Sequence, residues 1–354
     1  MRSFLISIIT KMRSSVFFLM LVVLIGCDTK TSLDIEVDPL ETGLKVKRFD
    51  RELLDADIYS LKALNSKWTK EYGMLYESFL AQMINAGSAH DPMIDFRLEK
   101  FLTDSIIQSI NLRIKDVFSD FGPYQKELES AFAFYSHYFP ETSVPVVVPF
   151  YSSFNAKTFP YGDTLGIGLD MFLGRNEEVV SLLPPEYFPM YLKQDMDPEN
   201  LSLEAIKTWV YVHHSNPGEY ENSNVYGVRE DFLSSLVYHG KMMWAVQAMF
   251  PHKTEAELFS YTEEEWQWCD KNEGFLFQNL IEFKLLYSKN LQEIKSYINP
   301  GSFTPGLPQE SPGEIGKWIG FRMVKKYVEE KKINLQDLLK DQNDARKVLS
   351  YYRP

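Results

Sequence analysis

Cys27 is the residue with the clearest chemistry. It closes the run Leu24-Ile25-Gly26-Cys27: an apolar residue, a tolerated residue, a small residue and a thiol. In that order the thiol takes a lipid and a peptidase cuts at Gly26, leaving acylated Cys27 as the new amino terminus. Arg2, Lys11 and Arg13 lie upstream as a basic region, and Val16 to Ile25 reads VFFLMLVVLI. That apolar stretch is too short to serve comfortably as a permanent span. Together these features predict a lipoprotein signal peptide over 1–26, cleavage at Gly26, and lipidation at Cys27 with acyl chains such as palmitate.

The second candidate chemistry centres on His239. Strands followed by a long helix near 229–250 and then more helices suit a zincin-like scaffold. Active zincins need H-E-x-x-H, because residues four apart turn both imidazoles to one side while the Glu activates the metal-bound water. Here Gly240 stands where the Glu belongs and Met243 where the second His belongs. The base and a ligand are both missing, so no catalytic residue, metal ligand or cofactor is assigned. His213 and His214 are adjacent and would point about 100° apart on a helix. His90 and His137 sit in loop-like or helix-end settings, His252 follows Pro251 outside the helix, and Cys269, in Trp266-Gln267-Trp268-Cys269, reads as a buried, inert thiol. No G-x-S-x-G elbow or Walker A loop is present. What remains is a candidate pocket of His239, Lys241, Trp244 and Glu273, with Lys241 and Glu273 a candidate pair across helices.

These residues need elements to position them. Leu44 to Phe49 alternates apolar and charged residues, as a half-buried strand does. Trp68, Tyr72, Leu75, Tyr76, Phe79, Leu80 and Met83 recur at three- and four-residue steps and predict one amphipathic helix, ended by Gly87. Two further helices are expected around 104–118 and 124–138, separated by Asp120-Phe121-Gly122-Pro123. Val144 to Phe150 and Leu165 to Asp170 read as strands, with a turn at Tyr161-Gly162-Asp163 before the second. Beyond Arg175 the pattern is helical. The expectation is an α+β fold, predominantly helical with a small sheet. A polar tether spans 27–39 and one globular domain spans 40–354.

Ser311-Pro312-Gly313-Glu314 has the form of a capping box with Pro at the first helical position. It predicts a helix running through Ile319 and Met323, with Gly313, Gly316 and Gly320 near one another on a face. Close helix packing explains those glycines best, with a groove admitting a peptide or ligand as the alternative.

Composition sets the remaining bounds. The chain is 45% hydrophobic and 24% charged, normal for a globular protein, with 25 Phe, 20 Tyr and 6 Trp. Losing three signal-peptide cations and no acid takes the net charge from −12 to −15. That field repels nucleic acid and anionic headgroups, so membrane attachment falls to the lipid on Cys27.

Four blocks carry a family resemblance: Ile167 to Gly174, Phe232 to Trp244, Trp266 to Glu273 with Leu285 to Ser288, and Ser311 to Gly320. In this order, behind the signal and Lys45-Val46-Lys47-Arg48-Phe49-Asp50, the chain resembles the gliding-motility lipoprotein family GldB. The resemblance implies a lipid-anchored, periplasm-facing protein of the cell envelope. In gliding members it is needed for movement over surfaces, in a machinery coupled to a protein-secretion system. It implies protein contacts with other envelope components rather than catalysis. The alternative is a zincin-like hydrolase or ligand-binding lipoprotein with a site around His239.

Overall fold

The computed structural model describes residues 42–214, 227–340 and 345–354, together with Leu33, Ile35 and Val37. The expected signal peptide, Gly26, Cys27 and most of the tether lie outside the described residues. Residues 36–354 cluster as one compact unit. It is α+β and predominantly helical. Strands β1 (Lys45–Val46), β2 (Val146–Phe150), β3 (Thr158–Tyr161) and β4 (Thr164–Gly168) form a mixed sheet in the order β1-β2-β4-β3. β1 and β4 run parallel to β2, and β3 and β4 form a hairpin about Gly162 at φ +53°. β1 pairs only with Val146 and Val147, so it ends before Pro149, whose missing N–H a fully paired central position would not tolerate.

The helices of twelve residues or more are α1 (Leu61–Tyr72), α2 (Ser105–Val117), α3 (Gly122–Tyr138), α4 (Leu201–His214), α5 (Phe232–Met249), α6 (Glu263–Glu282) and α7 (Ile315–Lys331). Asp104 caps α2 by accepting from the N–H groups of Ile106 and Ile107. Thr262 and Glu265 form a capping box before α6, whose first turn carries Glu263 to Glu265, where the helix dipole favours negative charge.

Three local expectations are corrected. The apolar series from Trp68 to Met83 is not one helix. Gly73, at φ +50°, stops α1; a short helix Met74–Ser78 restarts, and Phe79–Met83 forms a π-turn. All seven apolar residues of the series are nevertheless buried, since the break preserves which face meets the core. The strand expected over 44–49 keeps only two residues; Phe49 instead starts a helix and buries its ring 4.7–5.8 Å from those of Trp68, Tyr72, Tyr76 and Phe79.

The third correction concerns the capping box at Ser311. α7 begins at Ile315, and the residue before it, Glu314, sits in the left-handed region at φ +57°. Ser311 is buried and locks a loop: its Oγ accepts from the Thr304 N–H, while the Thr304 hydroxyl donates to the Pro312 carbonyl at 2.8 Å. Gly313 belongs to that loop, where a Cβ would lie 2.1 Å from the Gly301 carbonyl oxygen. Close backbone contact takes the segment away from helical geometry.

α5 is buried on nearly every side, as the central helix of a core must be. It crosses α7 with backbone against backbone. A Cβ on Gly320 would sit 1.8 Å from the Leu236 carbonyl oxygen, and one on Gly240 would sit 2.1 Å from that of Gly320. The glycines of α7 serve close packing.

Candidate functional site

The crossing that leaves no room at Gly240 and Gly320 opens beside it into a cavity of about 290 Å³. α4 gives it a polar stripe: Glu204, Lys207, Thr208 and Tyr211 repeat at three- and four-residue steps on a helix whose other faces are largely apolar and buried. Lys157 comes from the start of the β3 hairpin, Asp195 from the turn after the short helix Met190–Gln194, and Glu314 and Lys317 from the start of α7. Leu192, Met243, Leu258, Phe259 and Pro300 supply apolar wall.

The charges are paired within the cavity. Lys207 Nζ lies 3.0 Å from Glu204, and Lys317 Nζ lies 2.5 Å from Glu314. Lys157 is shared, 3.5 Å from Asp195 and 3.8 Å from Glu204. Burial opposes the Glu204 charge, but the ammoniums of Lys207 and Lys157 outweigh it and hold the carboxyl down at about 2. Asp195 shifts the other way. Burial raises its pKa, the shared Lys157 offsets this only in part, and the Glu204 charge adds to the rise. One carboxylate is therefore well compensated and its neighbour is not.

The expected pocket of His239, Lys241, Trp244 and Glu273 is not brought together. His239 is buried; the Tyr211 hydroxyl lies 2.9 Å from its Nδ1, and the Gly227 backbone lies against the Nε2 edge. Burial, with help from Lys317 and Arg229, pushes the imidazole well below its ordinary pKa, so it stays neutral. Trp244 packs its ring 5.9 Å from that of Phe321. Glu273 does not meet Lys241. It holds Arg322 at 2.5 and 3.1 Å and accepts from the Tyr352 hydroxyl at 2.8 Å. His239 does not line the cavity; it meets Tyr211, which does, and α5 contributes Met243.

Gly240 could not carry the Glu of a zincin motif, because any Cβ there meets the α7 backbone. His213 stacks on Trp209 at 3.8 Å, whereas His214 packs on Phe139 and lies 3.2 Å from the Tyr135 hydroxyl, so the adjacent pair serves separate neighbours. Cys269 is buried, and burial pushes its thiol up, away from reactivity. Among the described residues no group of three or more His, Cys, Asp or Glu is placed to hold a metal ion.

The four sequence blocks have structural roles here. Asp170, fully buried, accepts from Ser152 N at 2.7 Å, Ser152 Oγ at 3.0 Å and Phe154 N at 2.5 Å. It thereby fixes a loop in which Ser153 and Phe154 both take positive φ. The second block carries Gly240 and the third carries Glu273, which holds Arg322 of α7. The fourth ends at the Gly320 crossing and supplies Glu314 and Lys317.

The blocks that carry the resemblance thus lie at the core crossing and on one wall of the cavity, and residues 30–354 match the family described as gliding motility protein GldB. The chain belongs to the GldB family. Comparison with curated proteins and with solved structures finds no match to either. Membership makes the chain a gliding-motility lipoprotein over nearly its whole length. Among the described residues no helix is long and apolar enough to cross a membrane.

Proposed function

We propose that this chain is a lipid-anchored, periplasm-facing component of the gliding-motility machinery and its associated secretion system, acting through protein contacts. Cys27 carries the anchor in this reading. The observation that carries the contact role is an apolar surface segment: Leu182, Tyr187 and Met190 are 75%, 76% and 72% exposed. Three large apolar side chains so exposed within nine residues are unlike the isolated surface apolar residues of ordinary proteins, and they suit a binding patch. Pro184, Pro185 and Pro189 lie between them and restrict the backbone, which lowers the ordering cost of docking. The absence of room for a base at Gly240 favours contact over hydrolysis.

Complementation of a deletion in a gliding host tests this reading. Wild type should restore colony spreading. A Leu182→Ser/Tyr187→Ser/Met190→Ser variant should remain folded and membrane-associated yet fail to restore it. Cys27→Ala should fail through loss of membrane association, and His239→Ala should restore spreading to the extent that it folds. Full spreading with the triple variant would remove the contact role from this segment. A folded His239→Ala protein that fails to restore spreading would shift the weight to chemistry at His239.

A further inference from the structure

The cavity between α4 and the start of α7 has features of a ligand site that the contact role does not use. Asp195, Glu204 and Glu314 converge on it from three separate segments, with Lys157, Lys207 and Lys317 between them. Two of the carboxylates have an ammonium at hydrogen-bond distance: Lys207 for Glu204 and Lys317 for Glu314. Asp195 does not. Among the described residues its one ion-pair partner is Lys157, which stands off at 3.5 Å and is shared with Glu204. Its side chain is 31% exposed and lines the cavity. A carboxylate held in a recess with half a counter-ion gains most from a second cation, because attraction strengthens as water is excluded.

The walls specify what that cation is attached to. Leu192, Met243, Leu258, Phe259 and Pro300 form an apolar surface beside the charges, which suits a hydrocarbon side chain and not a bare metal ion. The recess also has an exit. A narrow cavity of about 50 Å³ shares Asp195, Phe259, Ser260, Pro300 and Glu314 with it. That passage in turn shares Gln194, Ser260, Tyr261 and Glu265 with a third cavity of about 280 Å³. Through these shared walls the three form one groove, with most of its charges at the Lys157, Glu204 and Lys317 end and lined beyond it by amide, hydroxyl and carboxylate groups together with Arg175 and Lys253. An extended backbone fits such a run, with its N–H and C=O groups meeting polar side chains.

We propose that the groove binds the amino-terminal residues of a peptide, with the free α-ammonium on Asp195 and an apolar first side chain against Met243 and Phe259. The inference goes beyond the contact role and stands or falls separately from it.

Isothermal titration of the purified full chain in mild detergent tests it. The probes are Leu-Leu amide, its N-acetyl derivative, and n-butylamine. Leu-Leu amide should bind, and acetylation should weaken binding roughly tenfold or more by removing the charge. Asp195→Asn, which keeps size and shape, should cost a similar factor while leaving the melting temperature in place. Leu192→Trp, filling the recess from a half-buried wall position, should block binding. No heat with Leu-Leu amide up to about 10 mM would overturn the proposal. So would equal binding of the acetylated peptide, or a folded Asp195→Asn protein that binds as wild type does. Butylamine binding as tightly as the peptide would overturn the groove and leave an ammonium recess alone.

Discussion

α7 meets its surroundings in two opposite ways along one helix. At Gly320 it touches α5 backbone to backbone, with no space for a single carbon. Three to six residues earlier, Lys317 and Glu314 line a cavity of about 290 Å³. The close contact is made by neutral groups and depends on the lack of side chains. The open end is made by full charges that must find partners from distant segments. Shape dictates the first region and charge balance the second, so the two should respond to different perturbations.

The largest effect is expected at the crossing. In Gly320→Ala a methyl would lie 1.8 Å from the Leu236 carbonyl oxygen, and in Gly240→Ala 2.1 Å from that of Gly320. Neither obstacle is a flexible side chain, so the two helices must separate and expose buried surface. A loss of about 3 kcal/mol or more is expected for each, at the upper end of overpacking effects. Urea denaturation reads it directly, and wild-type-like stability in both variants would mean the helices do not cross here. The cavity wall should be more forgiving, because an added group there has space to enter.

The next contrast is electrostatic, between buried carboxylates held in different ways. Glu204 is held by ammoniums at about 2, below its unfolded value of 4.5, so its contribution is fully present above 4.5 and lost as pH falls toward 2. Asp170 is held only by neutral donors and, through burial, is raised to about 6 from 3.8. The folded state then binds that proton more tightly, and stability declines as pH rises from about 4 to about 6. Each swing is on the order of 3 kcal/mol. Glu204→Gln should flatten the acid limb below pH 4.5, and Asp170→Asn should remove the decline between 4 and 6. If the two substitutions change the stability–pH curve in the same window, the charge-balanced and neutral sites are not the separate cases described here.

The same contrast explains what could be read from sequence. The buried face from Trp68 to Met83 was legible because apolar spacing reports the core side whether or not the helix is continuous. The break at Gly73 was not, since the spacing carries on across it. β3 was missed because Thr158-Phe159-Pro160-Tyr161 is short, contains a proline and is not deeply buried. Ser311 to Glu314 has the letters of a capping box, yet the approach of Gly313 to Gly301 decides the backbone, and no local pattern contains Gly301. The cavity was least legible. Lys157, the Asp195–Glu204 stretch and Glu314 are far apart in the chain and meet only through the fold. Its one local trace was the polar stripe Glu204, Lys207, Thr208 and Tyr211 on α4. His239 shares its helix with Met243 of the cavity wall, but its imidazole meets the Tyr211 hydroxyl instead.

The smallest effect sharpens the comparison from the other side. Gly274 lies inside α6, like Gly320 inside α7, but a Cβ there would meet nothing within 4 Å. Steric need cannot account for it, so only the helix-propensity cost of glycine remains. Gly274→Ala should therefore stabilise the chain by about 0.5–1 kcal/mol, the reverse in sign of Gly320→Ala. Measuring both in one urea series separates glycine as a packing requirement from glycine as a tolerated weakness. A destabilised Gly274→Ala would break the comparison, because no atom within 4 Å of the added methyl could account for the loss and glycine would then matter in α6 for a reason other than packing.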